Sequence, residues 1–150
     1  MQPRTNPSVA APHAMKAMLA LENYVENSGL EPTLLELVQI RASQINGCAF
    51  CIDLHTYHAR SLGESEQRLY LLSGWRESSL YTERERAALS WTEALTLVSK
   101  THASDCEYEK LKGYFSEADE VNLTVLISTI NAWNRMAMGF RFLHPIRPQG

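Results

Sequence analysis

The sequence predicts an all-helical (all-α) domain, and three observations support this fold class. Apolar residues recur mostly at the three- and four-residue spacing of a helix. Segment boundaries are marked by helix caps, such as Thr82 followed by Glu85, rather than by hairpin turns. The β-branched stretches LTVLISTI and LTLVS each lie inside a longer helical pattern, and an isolated strand there would have no hairpin partner. At 150 residues and 45% hydrophobic content, we expect one domain with a single core.

The first elements follow from prolines and glycines at the helix ends. Residues 1–11 contain two prolines, small polar side chains and no apolar run, so we expect a flexible arm before a single domain over residues 12–150. An amphipathic helix is predicted over residues 12–27, with a glycine where a C-terminal cap lies. Pro32 suits the first turn of a second helix, which we expect to run to about Ser43.

The later elements follow from capping residues. Asn46 is the predicted N-terminal cap of a third helix, which would end at Arg60 or Ser61 before Gly63. A shorter helix is expected within residues 64–72. Three further helices are predicted to begin after Thr82, Ser104 and Ser116 and to end near Lys100, Gly113 and Gly139. The first two of these caps have a glutamate three residues later, which is the pattern of a capping box.

The charge balance excludes several classes of partner. The 17 acidic and 14 basic residues leave a net charge of −3, and the sequence has no run of Lys or Arg that could bind along a phosphate backbone or an anionic lipid surface.

No stretch has the length and apolar character of a membrane span, and the N-terminus lacks the apolar region of a signal peptide. Three cysteines without an export signal favour a reducing compartment. We therefore expect a cytoplasmic protein that binds neither nucleic acid nor membranes.

The stretch from Ile45 to Arg60, INGCAFCIDLHTYHAR, contains the candidate chemical groups. Cys48, Cys51 and His55 are spaced i, i+3 and i+7, which on a helix places them within about 60° of one another around the axis. One helix face therefore presents two thiols and an imidazole.

Several kinds of site use such a helix face. A zinc ion bound by both cysteines, His55 and His58 does not fit a continuous helix, because Cys48 and His58 would lie about 15 Å apart along the axis. A metal site with three ligands from this stretch and a fourth from a distant part of the chain remains an alternative. Haem attachment requires a histidine directly after the second cysteine, whereas His55 comes three residues too late. A thioredoxin motif requires a βαβ context, which the predicted helical chain lacks. Simple burial in the core is a further alternative, but two thiols at disulfide spacing beside an imidazole favour redox chemistry.

Redox chemistry needs a nucleophilic thiolate, a second thiol that traps the oxidised first one, and a group that accepts and returns protons. His55 lies four residues after Cys51 and could reach its thiol as a base, while Cys48 could close a disulfide. Glu36 on the preceding helix could orient His55. The helix dipole, in contrast, favours a thiolate at Cys48, in the first turn behind the Asn46 cap.

The segment ELVQIRASQINGCAFCIDLHTYHAR resembles the core of the AhpD-like alkylhydroperoxidases within the carboxymuconolactone decarboxylase superfamily. The shared pattern is a glutamate, a following arginine and asparagine, CxxC, and a histidine four residues after the second cysteine. The matching residues are Glu36, Arg41, Asn46, Cys48, Cys51 and His55. TERERAALSWTEALT and INAWNRMAMGF are similar to later segments of the family, so the resemblance covers most of the chain beyond the arm. One departure is Phe50, where the best-known AhpD enzymes have histidine.

The resemblance implies an AhpD-like helical domain with the CxxC pair at the start of a central helix, and homo-oligomers that are often trimers or hexamers. It implies reduction of a peroxide substrate without haem, metal or flavin, followed by regeneration through a thiol reductant or a redox adaptor protein. By matching positions, Cys51 becomes the sulfenic acid, Cys48 supplies a proton and closes the disulfide, and Glu36 with His55 forms a proton relay. We adopt Cys51 as the nucleophile, because it alone has a base one turn away. A redox-responsive binding or scaffold protein and a thiol-disulfide oxidoreductase remain alternatives, since both would use the same cysteine pair.

Other polar residues have simpler interpretations. Asn131, Asn134 and Arg135 share one face of an apolar last helix, where we expect them to tie helices or subunits together rather than support the active site. His58 could line the entrance of the site but is interpreted as a helix-surface histidine. Cys106 is far in sequence from the pair and is expected to be a bystander thiol.

Overall fold

The computed structural model describes residues 1–147, and within that range the chain folds into nine α-helices and one 3₁₀ helix without any β-strand. The predicted all-helical fold class is therefore confirmed. The α-helices are α1 (Pro7–Ala10), α2 (Pro12–Glu26), α3 (Pro32–Asn46), α4 (Ala49–Ser61), α5 (Glu66–Leu71), α6 (Glu83–Thr96), α7 (Val98–Thr101), α8 (Asp105–Lys112) and α9 (Glu117–Phe140). The 3₁₀ helix covers Leu72–Glu77. Within the described range, no helix combines the length and the apolar character needed to cross a membrane.

Helix α3 lies at the centre of the domain and packs against α4, α6 and α9. Its buried residues are Leu34, Leu35, Leu37, Val38, Gln39, Ile40, Ala42 and Ser43. Because a helix has 3.6 residues per turn, the four consecutive buried residues 37–40 point to every side of α3. Leu34 and Val38 join a core cluster with Leu123 and Ile127 of α9, and full burial of each such side chain stabilises the fold by about 1.5–3 kcal/mol. A central α3 can therefore present different side chains to several neighbouring helices at once.

Several predicted helix starts are confirmed. Pro32 occupies the first turn of α3, where its missing N–H leaves no hydrogen bond unmade. The Thr82 hydroxyl accepts a hydrogen bond from the Glu85 backbone N–H, and the Glu85 carboxylate accepts one from the Thr82 N–H, which completes the capping box of α6. Ser116 Oγ accepts from the backbone N–H of Asp119 at the start of α9.

The predicted cap at Asn46 is wrong. Helix α3 continues three residues beyond its predicted end and closes at Asn46, where Gly47 adopts the left-handed conformation (φ 72°) that ends many helices. The Asn46 side chain is already engaged, since its Nδ2 donates to Oδ1 of Asn131 at 2.9 Å and of Asn134 at 2.8 Å. Cys48 is the residue that caps α4 instead.

Two predictions between α6 and α8 are also wrong. Ser104 precedes α8, but its side chain makes no capping bond, and the Glu107 backbone N–H donates to the Ser104 carbonyl instead. The Glu107 carboxylate is bound by the Ser90 hydroxyl and by Lys110, so the capping box is not formed. The helix predicted to run to about residue 100 is interrupted at Leu97, whose backbone leaves the helical region between α6 and α7 (φ −103°, ψ 30°).

The N-terminal segment contacts the end of α9. The Arg4 backbone N–H donates to the Phe140 carbonyl at 3.0 Å, and the Arg4 guanidinium donates to the Gly139 carbonyl at 2.9 Å. Pro7, the first residue of α1, is buried. The flexibility of residues 1–11 and the boundary of the domain at residue 12 stay predictions.

Candidate active site

The two thiols of the CxxC motif meet at the turn between α3 and α4. Cys48 is the N-terminal cap of α4, and its Sγ accepts a hydrogen bond from the Cys51 backbone N–H at 3.4 Å. The first turn of a helix leaves backbone N–H groups unpaired and carries the positive end of the helix dipole, so this position favours negative charge on sulfur. Both side chains are buried, whereas Cys106 is exposed on α8. The structure therefore brings together the predicted pair and leaves Cys106 outside it.

The local contacts make the two thiols unequal. A hydrogen bond from the Cys51 side chain, supported by the Cys51 backbone N–H, lowers the pKa of Cys48 to about 7 against the opposing effect of burial. The pKa of Cys51 is raised, first because its thiol donates to Cys48 and second because it is buried. When the pair loses one proton, the charge is therefore favoured on Cys48 and the remaining proton on Cys51.

Two polar residues that touch the thiols come from α3 and α9. Asn134 of α9 is fully buried and donates from Nδ2 to Ser43 Oγ of α3 at 2.9 Å. Hydrogen bonds from Asn134 lower the pKa of both cysteines, and one from Ser43 lowers that of Cys51. Asn134 thus ties α9 to α3, as expected, but it also acts on the two thiols, which the sequence-based interpretation did not favour. Ser43 was not singled out from the sequence, because a serine inside a helical pattern gives no sign of what it faces.

His55 and Glu36 form the contact that the sequence pattern predicted. His55 Nδ1 lies 2.9 Å from Glu36 Oε2, with both side chains largely buried. His55 is one turn beyond Cys51 on α4, and a positive charge on its ring would lower the pKa of Cys48. The close packing of α3 against α4 brings the carboxylate to the imidazole.

His58 lies one turn beyond His55. Its Nδ1 is 3.7 Å from Oε1 of Glu36, the second oxygen of the same carboxylate. The two imidazole rings are 6.1 Å apart between centroids and nearly perpendicular. His58 is 47% exposed, as expected of a surface histidine, but it also lines the cavity described next.

A cavity of about 440 Å³ opens beside Cys51. Its apolar wall consists of Leu19, Val25, Pro32, Leu35, Phe50, Leu54, Trp133, Ala137 and Phe142. Its polar wall consists of Glu22, Glu26, Glu36, Gln39, Cys51, His55 and His58. Cys48 is not among the lining residues in the described part of the chain. A ligand in the cavity would therefore meet Cys51 and not Cys48.

Glu22 is a cavity residue that sequence reasoning missed. Its Oε2 accepts a hydrogen bond from Trp133 Nε1 at 2.7 Å. Burial raises the pKa of Glu22, although the bond from Trp133 opposes this shift. The only indication in the sequence was that Glu22 lies among the apolar positions of α2, and the contact with α9 spans 111 residues.

The remaining residues of the family pattern hold helices together outside the cavity. Arg41 Nη2 of α3 forms an ion pair with Glu93 Oε1 of α6 at 2.9 Å. Glu93 also accepts a hydrogen bond from Trp75 Nε1 at 2.8 Å. Asn46 binds α9, as described above. Arg41 and Asn46 therefore position α3, which carries Glu36.

One group of side chains in the described part of the chain is close enough to hold a metal ion. Glu36, His55 and His58 each offer a ligand atom, and these atoms lie within 4.8 Å of one another. Neither cysteine belongs to this group. The zinc site considered from the sequence, with both cysteines, His55 and His58 as ligands, is therefore not formed. The third potential ligand beside the two histidines is Glu36, from the preceding helix.

Comparisons with known proteins agree with this architecture. The sequence profile of the carboxymuconolactone decarboxylase family matches residues 12–94. The uncharacterised protein YdfG of Bacillus subtilis (strain 168) is 44% identical over 133 residues, which cover 87% of this chain and 90% of YdfG.

Two solved structures share the fold. ATU0492 from Agrobacterium tumefaciens, a protein of unknown function provisionally assigned to antioxidant defence as AhpD, is 50% identical with a TM-score of 0.95, and the match covers 97% of this chain and 100% of that chain. The debrominase Bmp8 is 19% identical with a TM-score of 0.78, and the match covers 89% of this chain and 72% of that chain. At this identity the likeness to Bmp8 concerns the fold alone.

Proposed function

This chain belongs to the carboxymuconolactone decarboxylase family and has an AhpD-like fold, and we propose that it is a thiol-dependent peroxidase of the alkylhydroperoxidase type. The observation that carries the proposal is the position of Cys51 on the cavity wall, with Cys48 at its side and the His55–Glu36 pair one turn further along α4. A nucleophile and a proton carrier thus line a space of the size that holds small organic ligands, and a second thiol lies beside the nucleophile.

The first half of the proposed reaction oxidises Cys51. Cys48 starts as the thiolate, Cys51 as the thiol, and His55 as the imidazolium beside Glu36. The proton of Cys51 moves to Cys48, and the Cys51 sulfur attacks the terminal oxygen of the hydroperoxide. An S–O bond forms while the O–O bond breaks, and His55 gives its proton to the leaving alkoxide. The products are a sulfenic acid on Cys51, an alcohol, and a neutral His55.

The second half closes the disulfide. The Cys48 sulfur attacks the sulfur of the sulfenic acid, so that an S–S bond forms and the S–O bond breaks. His55 carries the proton of Cys48 to the departing hydroxide, which leaves as water. A dithiol reductant then restores both thiols by exchange through a mixed disulfide.

The cavity supports a neutral, apolar hydroperoxide as the substrate class. Phe50, Trp133 and Phe142 supply aromatic surface, and Phe50 packs edge-on against Phe142 with ring centroids 5.5 Å apart. Glu22, Glu26 and Glu36 are the acidic residues on its wall, and no Arg or Lys is among its lining residues within residues 1–147. Negative potential disfavours a peroxide that carries its own carboxylate. Cumene hydroperoxide therefore fits better than a fatty-acid hydroperoxide.

The experiment that tests this function is steady-state consumption of cumene hydroperoxide with several thiol reductants, including dihydrolipoamide and thioredoxin. We expect turnover with at least one of them, and loss of turnover in Cys51→Ser. Cys106→Ser is the matched control, because it removes an exposed thiol outside the site and is expected to keep the wild-type rate.

The alternatives give different results in the same assay. A redox-responsive scaffold protein would form the disulfide once and show no sustained turnover. A thiol-disulfide oxidoreductase would reduce or oxidise a partner's cysteines at a rate that does not depend on peroxide. Either outcome, with negligible peroxide consumption under all reductants, would contradict the proposed function.

A further inference from the structure

We propose that Glu36, His55 and His58 form a binding site for a divalent transition-metal ion of the zinc class, and that the bound ion reversibly inhibits the thiol reaction. His55 and His58 lie three residues apart on α4, which places them on one helix face, and Glu36 comes from α3. The binding of the ion is argued from the geometry, charge and access of these residues and does not depend on the proposed function. Its inhibitory effect rests on the proposed peroxidase function.

The first support for this metal site is the arrangement around a single carboxylate. Glu36 presents Oε2 to His55 Nδ1 at 2.9 Å and Oε1 to His58 Nδ1 at 3.7 Å. The ligand atoms of a tetrahedral zinc site with bonds of about 2.0–2.1 Å lie about 3.3 Å apart. The three groups, which lie within 4.8 Å of one another, therefore need only small side-chain rotations to share one ion.

The second support is the charge and access of the surrounding wall. Glu22 and Glu26 line the same cavity as Glu36, and the lining residues in the described range include no Arg or Lys, so an ion that binds here displaces only the His55 proton that the proposed reaction uses. His58 is about half exposed, so the ion can reach the group from solvent. Two histidines and one carboxylate are also a ligand set that zinc uses when a fourth position stays open to water or substrate.

An ion at this position would remove the proton carrier from the reaction. It would occupy a ring nitrogen of His55 and an oxygen of Glu36, so the pair could no longer exchange a proton beside Cys51. The ion would also narrow the polar side of the cavity. Because no covalent bond of the protein changes, removal of the ion by a chelator would restore the reaction.

Cobalt binding tests the site independently of any peroxidase activity. Co²⁺ is titrated into the full-length Cys48→Ser/Cys51→Ser variant, whose CxxC position offers no thiolate, and visible d–d absorption reports binding. We expect saturation at one equivalent without a thiolate-to-cobalt charge-transfer band. Loss of a group that only orients a metal ligand lowers metal affinity by about 10- to 100-fold. Because His58 is proposed as a direct ligand, we expect His58→Gln in this background to weaken cobalt binding by at least about tenfold. His13→Gln, at an exposed histidine on α2, is the matched control and should not change the affinity.

Zinc inhibition tests the consequence. The single-turnover rate with cumene hydroperoxide is measured with and without Zn²⁺ in wild type, His58→Gln and His13→Gln, and each rate with zinc is divided by the rate of the same variant without it. We expect strong inhibition of wild type and His13→Gln, recovery with EDTA, and weaker inhibition of His58→Gln. Equal inhibition of all three would assign the effect to the thiols and overturn the inhibitory role. Cobalt binding that is equally tight in His58→Gln and its parent would overturn the metal site itself, whether or not the protein is a peroxidase.

Discussion

Replacement of Glu36 by glutamine removes the carboxylate charge beside His55 while preserving the size of the side chain. The Oε2–Nδ1 distance is 2.9 Å and both side chains are largely buried, so water screens the contact poorly. A hydrogen bond to a charged group contributes about 1.5–3 kcal/mol. If this contact stabilises the imidazolium that protonates the leaving alkoxide, its loss should slow the oxidation of Cys51 about 10- to 150-fold, because each 1.36 kcal/mol of barrier changes the rate tenfold.

The assay for Glu36→Gln is stopped-flow tryptophan fluorescence of the reduced protein mixed with cumene hydroperoxide, since Trp133 lines the cavity. Glu26→Gln is the matched control, because Glu26 is an exposed carboxylate on the wall of the same cavity. We expect the control to react at nearly the wild-type rate and both variants to keep their helical circular dichroism. The double variant Glu36→Gln/His55→Gln should be little slower than either single variant, because the two residues act as one unit. A wild-type rate in Glu36→Gln, or an equal loss in Glu26→Gln, would refute the proton relay.

Three further predictions concern the thiols and the assembly. Mild peroxide treatment should give a reversible Cys48–Cys51 disulfide with Cys106 free, and peptide mass spectrometry with a main product that contains Cys106 would contradict this pairing. The single-turnover rate of peroxide reduction should fall as the pH drops through about 7, because protonation of Cys48 removes the thiolate that accepts the proton of Cys51. A rate that does not change between about pH 5 and pH 9 would count against this order of proton transfer. Light scattering should show a trimer or hexamer, since α9 exposes apolar side chains such as Val121 and Met138, and a monomer at micromolar concentration would contradict that expectation.

The parts of the site that could be predicted from the sequence depend on local spacing. Cys51 and His55 are four residues apart on one helix, so their proximity follows from helix geometry alone. The approach of Glu36 followed from placing it on the helix directly before α4. The all-helical fold class was predictable for a similar reason, because periodicity and capping residues act within a few positions of the chain.

The parts that could not be predicted depend on contacts distant in sequence or on an unusual choice of residue. Asparagine is among the favoured N-cap residues, so the sequence placed the cap of α4 at Asn46. The actual cap is Cys48, because Asn46 is bound to α9 and Gly47 closes α3. The contacts of Ser43 with Asn134 and of Glu22 with Trp133 join helices separated by most of the chain.

The identity of the sulfur that reacts with peroxide tests the central claim most directly. The structure lowers the pKa of Cys48 but places Cys51 on the cavity wall, so the proposed reaction requires a proton transfer between them before attack. The measurement treats reduced Cys48→Ser and Cys51→Ser with one equivalent of cumene hydroperoxide and a sulfenic-acid trapping reagent, followed by peptide mass spectrometry. The account predicts a labelled Cys51 in Cys48→Ser, formed more slowly than wild type reacts because the proton acceptor at Cys48 is missing, and little label in Cys51→Ser. Label on Cys48 in Cys51→Ser, formed as fast as wild type reacts, would contradict it and reverse the two roles.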